Sequence, residues 1–130
     1  MKKLVAILGL VGALALAGCS SSAGAVQTVD PQAFLQSASQ GGTTVIDVRT
    51  PAEYAAGHLP GAINIDVESP TFAAEIGALD PSTAYAVYCH SGRRSALAAD
   101  AMSQAGFTTV YNLDGGLADL QAAGGTVVAG

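Results

Sequence analysis

The run Cys89-His90-Ser91-Gly92-Arg93-Arg94-Ser95 sets one thiol ahead of a glycine, two hydroxyls and two adjacent arginines. Preceded by a strand-like stretch and followed by an Ala-rich helical one, such a cysteine has three influences that favour its thiolate. A helix dipole contributes about 0.3–1 kcal/mol, which lowers a pKa by less than about one unit. Backbone N–H groups from Ser91 to Ser95 can fold into a nest, and each hydrogen bond to a charged acceptor is worth about 1.5–3 kcal/mol, so two or three of them outweigh the dipole. Arg93 and Arg94 add charge, with Arg94 expected to face the anion and Arg93 the solvent. The same donors suit a terminal sulfur carried on Cys89 as well as a bare thiolate. Cys89 is therefore the candidate nucleophile, and His90, Ser91, Gly92, Arg93, Arg94 and Ser95 are the candidate binding groups for a small anionic substrate.

Arg49 is a further candidate for substrate binding, with pairing to Asp47 or Glu53 as the competing structural reading. His90 adjoins Cys89, but adjacent side chains diverge, which favours a solvent-facing role. His58 is expected to shape the connection Gly57-His58-Leu59-Pro60-Gly61, and Asp47 to be structural. Two histidines and one remaining cysteine offer no metal-ligand spacing, and no cofactor is called for.

Positioning these groups requires alternating strands and helices. Ala25 to Val29 reads as a strand, and Asp30-Pro31 starts a helix with Asp as N-cap and Pro at its first position. Thr43 to Val48 is a nearly continuous apolar run, as in a strand covered on both faces. Thr50-Pro51-Ala52-Glu53 has the spacing of a capping box. Ala62 to Ile65 resumes strand character, Ser69-Pro70 opens a helix bearing Phe72, Ile76 and Leu79, and Ala84 to Tyr88 is the strand that delivers Cys89. Ala98, Ala101, Met102 and Ala105 mark the next helical face, closed by Gly106. Thr108 to Leu113 is a last strand, Gly115-Gly116 a turn, and Leu117 to Ala123 a short helix; Thr126 to Val128 suits a terminal strand or a packed extension. The alternation predicts an α/β fold, a parallel sheet of about five strands with helices on both faces. Ligands of such sheets bind beyond the carboxyl ends of the strands, where Arg49, Cys89 and Asp114 emerge.

At 130 residues, half of them apolar, the chain suffices for one small core. Lys2 and Lys3 precede a charge-free run from Leu4 to Ala17, the pattern of a secretory signal, shorter than the roughly 20 apolar residues of a membrane span. Leu16-Ala17-Gly18-Cys19 resembles the lipobox of bacterial lipoproteins, which implies cleavage before Cys19 and acylation of that residue. The expected organisation is a signal peptide over 1–18, a lipidated Cys19 and linker over 19–24, and one domain over 25–130. It would be exported and tethered to a membrane through acyl chains. Without Lys2 and Lys3, three arginines face ten acids, a net charge of −7, which leaves no basic surface for nucleic acid. With Cys19 acylated, Cys89 would have no disulfide partner, and an unpaired exported thiol is usually there to react.

Asp47-Val48-Arg49-Thr50-Pro51-Ala52-Glu53-Tyr54, then Gly57-His58-Leu59-Pro60-Gly61-Ala62-Ile63-Asn64, resemble the signature of rhodanese domains. Cys89 to Ser95 is similar to their active-site loop, and Leu113-Asp114-Gly115-Gly116 to their last motif. What the resemblance implies is a rhodanese-like fold and a sulfurtransferase. Cys89 would take sulfur from a donor such as thiosulfate, hold it as a persulfide, and pass it to a thiol or cyanide-like acceptor, with Cys89 to Arg94 as the cradle. Phosphatases related to this fold place Arg six positions after Cys, where this chain has Ser95, so phosphate and arsenate chemistry are disfavoured. A module that binds or senses sulfane sulfur without turnover is the alternative, and a thiol redox protein would need a resolving cysteine. Family members often carry Trp near Leu120, and this chain has none.

Overall fold

Residues 24–130 are described by a computed structural model; the leader expected over 1–18 and Cys19 lie outside the described residues. Strands β1 (Val26–Val29), β2 (Thr43–Asp47), β3 (Ile63–Asn64), β4 (Ala84–Tyr88) and β5 (Thr109–Leu113) alternate with helices α1 (Pro31–Ala38), α2 (Pro51–Ala56), α3 (Phe72–Gly77), α4 (Arg93–Gln104) and α5 (Leu117–Ala122). The strands form one five-stranded sheet in the order β1-β5-β4-β2-β3. Every pairing is parallel. This places β4 at the centre, between β2 and β5, so Cys89 leaves the sheet with the ends of its two neighbours on either side.

Side chains alternate across the sheet, which divides the core in two. On one face Ile46, Tyr85, Val87 and Cys89 pack with Phe72 and Ile76 of α3 and Ala98, Ala99 and Met102 of α4. On the other, Val45, Ala86, Tyr88 and Leu113 pack with Phe34 of α1 and Leu120 of α5. Leu120 is fully buried, so α5 is anchored without a Trp.

Local capping follows the sequence in the first two helices. Asp30 accepts from Ala33 N–H at 2.8 Å with Pro31 in the first turn, and Thr50 and Glu53 form the reciprocal capping box. Three elements differ from expectation. The strand expected over Ala62 to Ile65 is two residues long: Ala62 is held in a turn, its N–H donating to Leu59 O, and the Asn64 side chain donates to the Asp47 and Arg49 carbonyls. The helix expected from Ser69-Pro70 starts at Phe72, since Ser69 Oγ accepts from Thr71 N–H and forms a turn first. The tail adds no strand to the sheet; Val128 makes an isolated antiparallel bridge with His58.

Candidate active site

Alternation along β4 sends Tyr88 to one side and Cys89 to the other, beneath the start of α4. Gly92 takes φ of 101°, a left-handed conformation that side-chain-bearing residues rarely adopt, and this folds the loop back so that its N–H donates to Cys89 Sγ at 3.0 Å. Unlike α1 and α2, α4 has no side-chain cap, so its first N–H groups remain for another acceptor. Burial pushes the Cys89 thiol up, but the Ser95 hydroxyl and the N–H groups of Ser95, Gly92 and Ser91 outweigh it, and the pKa is lowered. The Ser95 hydroxyl donates to Gly92 O at 3.2 Å. Ser95, expected among the substrate-binding groups, is fully buried and serves the sulfur itself. The cradle therefore extends one residue beyond Arg94.

The Gly115-Gly116 turn does more than reverse the chain. A Cβ on Gly116 would lie 1.6 Å from the His90 carbonyl oxygen, so only glycine allows this segment against the loop. Leu117 N–H donates to the Cys89 carbonyl at 3.2 Å, and Asp119 accepts from Gly116 N–H at 2.8 Å, fixing the turn from behind.

The three arginines have different settings. Arg49 is buried, donating to Asp47 through Nε at 2.9 Å and Nη2 at 2.6 Å and to the Gly57 carbonyl at 2.6 Å. Burial would lower its pKa, but the Asp47 hydrogen bond and charge raise it on balance. Of its two readings, the structural ion pair is the one the geometry shows, and a free substrate-binding cation at this position is not. Arg94 is half-buried and forks onto Glu53, Nη1 to Oε1 at 2.8 Å and Nη2 to Oε2 at 2.9 Å, with Glu68 Oε1 at 3.6 Å. Glu53 is held down to about 2, first by this Arg94 hydrogen bond. Arg93 is exposed, as expected, and among the described residues makes no salt bridge. The expected rim of positive charge is thus largely compensated by acids.

Tyr88, next to the nucleophile, donates to Asp47 Oδ2 at 2.8 Å and accepts from Leu59 N–H at 3.0 Å. Asp47 is the hub of this buried network, the structural role read from the sequence. His58 stacks on Tyr54 at 3.7 Å, and its Nδ1 lies 2.8 Å from the Tyr54 carbonyl, so it does shape its connection. His90 is exposed and lines a groove of about 340 Å³ with Glu53, Gly57, Leu117, Gln121 and Val127, over a floor that includes Arg49. Sequence reasoning did not give Glu53, Tyr88 or Gly116 a place at the site. For Gly116 the signal was the doubled glycine. For Glu53 and Tyr88 nothing local identified their distant partners.

A parallel sheet whose central strand leads into a cysteine beneath an uncapped helix places a thiol of lowered pKa against backbone donors. The family model for the rhodanese-like domain matches residues 30–123, and the chain belongs to that family. Among curated relatives, the thiosulfate sulfurtransferase GlpE of Pseudomonas aeruginosa is 40% identical over 77 residues, 59% of this chain and 68% of that protein. The thiosulfate sulfurtransferase PspE of Escherichia coli is 39% identical over 75 residues, 58% of this chain and 71% of that protein. Among solved structures, a rhodanese-related protein from Thermoplasma volcanium superposes with a TM-score of 0.69 at 29% identity, covering 80% of this chain and 99% of that one. A rhodanese with anions from E. coli gives 0.56 at 35% identity, covering 68% and 99%.

Proposed function

We propose that the protein is a sulfurtransferase that moves sulfane sulfur from a donor such as thiosulfate to a thiol or cyanide-like acceptor through a persulfide on Cys89. The observation that carries this reading is the buried Cys89 sulfur receiving Gly92 N–H at 3.0 Å within a loop that lowers its pKa. The Cys89 thiolate attacks the outer sulfur of thiosulfate, the new S–S bond forms, and sulfite leaves with the electron pair of the bond that breaks. The N–H groups of the loop then face the negative outer sulfur of the persulfide. An acceptor thiolate or cyanide attacks that sulfur, and the Cys89 thiolate departs.

Mass spectrometry of residues 25–130 after incubation with thiosulfate tests the reading. A gain of one sulfur on Cys89, released by cyanide as thiocyanate, is expected. Absence of the adduct would sink it, and an adduct that no acceptor discharges would leave a binding or sensing module instead.

The reading extends to location: the protein is tethered outside the cytoplasm by acyl chains on Cys19. Support comes from the charged start, apolar run and small residues before Cys19. Expressed from its full gene, the protein should partition into detergent with an acylated Cys19, and Cys19→Ala should abolish this. A water-soluble wild-type protein would overturn the assignment.

A further inference from the structure

Arg94 is the one partly buried cation of the cradle, and its charge is engaged by Glu53. Glu53 is itself held in place: its Oε1 accepts from Thr50 N–H at 3.3 Å and Thr50 Oγ1 at 3.0 Å while both oxygens take the Arg94 fork. It is therefore an ordered acid that also lines the groove beside His90. Glu68 stands behind it, 65% exposed at its side chain and 3.6 Å from Arg94 Nη1. Of the three arginines at this rim, Arg49 is engaged by Asp47 and Arg94 by Glu53 and Glu68, so the two cations that are not fully exposed already have their counter-charges. The donors that meet an incoming anion are backbone N–H groups, which stabilise one charged atom without favouring a second charge.

We propose that Glu53 is a specificity-determining residue that, by holding the charge of Arg94, tunes the mouth away from doubly charged sulfur donors and toward singly charged ones. This rests on the sulfur-transfer reading above. Coulomb energy scales with the charge of the ligand, so removing one negative charge changes the affinity for a dianion by the square of its effect on a monoanion. A carrier such as an organic thiosulfonate or a persulfide anion is the class the wild-type mouth suits. Each donor passes its outer sulfur to Cys89, and sulfite, sulfinate or thiolate leaves with the bonding pair.

Glu53→Gln removes the charge and one arm of the Arg94 fork, while glutamine still serves at the third position of a capping box. The experiment measures KM and kcat for thiosulfate, a dianion, and methanethiosulfonate, a monoanion, with cyanide as the common acceptor. At low salt KM should fall about threefold for methanethiosulfonate and about ninefold for thiosulfate, with kcat changed less than about twofold. Glu53→Asp should restore the wild-type ratio, and Glu68→Gln, which leaves the capping box untouched, should move both constants in the same direction by less. Equal changes in both KM values, or none, would overturn the proposal while leaving sulfur transfer intact. Failure of wild-type Cys89 to gain sulfur from either donor would instead overturn the transfer reading, and this inference with it.

Discussion

Two loops leave neighbouring parallel strands at the same rim and use their polar groups in opposite ways. After β2, Asp47 and Arg49 bind each other, and Tyr88, Asn64 and the Gly57 carbonyl take up much of their remaining hydrogen-bonding capacity. After β4, the first turn of α4 contains no acidic residue and has no side-chain cap, and the loop donates to one sulfur. The first loop is saturated and serves stability. The second leaves donors around one sulfur, which suits the changes of charge in the proposed sulfur transfer. The presence of charged residues does not separate them; what does is whether their partners are already supplied by the fold.

That contrast can be broken by perturbing each side. Cys89→Ser should remove sulfur loading and lower turnover about a thousandfold or more, with stability within about 1 kcal/mol by urea denaturation. Asp47→Ala leaves Arg49 buried without its counter-charge, and should cost about 3–5 kcal/mol in the same denaturation while the folded fraction still loads sulfur. A Asp47→Ala protein of normal stability with a dead cysteine would erase the distinction between the loops. Gly116→Ala should affect both readouts, since its methyl group collides with the His90 carbonyl: about 1–3 kcal/mol of stability by thermal melting, and impaired alkylation of Cys89.

Smaller effects sharpen the contrast. Ser95→Ala should slow iodoacetamide alkylation of Cys89 about fivefold near neutral pH, because a hydrogen bond to the thiolate is lost and its pKa rises. The wild-type alkylation profile should rise with a midpoint below the 9.0 of an unperturbed thiol. The Glu53–Arg94 pair joins the two regions and gives the smallest effect. Glu53 has its folded pKa depressed to about 2 from 4.5, so the pair's contribution is fully present above about pH 4.5 and is lost as pH falls toward 2. At this partly exposed site it amounts to about 1 kcal/mol or less. Acid titration of Glu53→Gln against wild type, followed by melting temperature, should show the two curves converge at low pH.

The same division explains what the sequence disclosed. The alternation of strands and helices and the Asp30 and Thr50 caps are local matters of period and turn chemistry, and the two caps stand where their residues indicated. Cys89 was identifiable because its donors are its own neighbours in the chain. The order of strands around β4 was not, since it depends on which parallel pairs form. Nor was the reach of Glu53 to Arg94 across 41 positions, because a capping box accounts for Glu53 locally and leaves its second oxygen unassigned. Arg49 had an acid on either side in the chain, Asp47 and Glu53, and the fold decides between them by burying Asp47 with Arg49 and giving Glu53 to Arg94.

The pairing of β1 with β5 has a consequence for how the molecule is built in time. Val26 faces Val110, and the strands between them reach the sheet only through crossovers, so almost every pairing joins distant parts of the chain. Such arrangements fold slowly, because loop closure precedes the contacts that offset it. The Gly115-Gly116 turn after β5 lies against the Cys89 loop, with Leu117 N–H on the Cys89 carbonyl, so the expected order is that the surroundings of the nucleophile are completed late, when this segment docks. Pulsed alkylation during refolding should therefore label Cys89 until the last phase; protection that precedes docking of β5 would contradict this order.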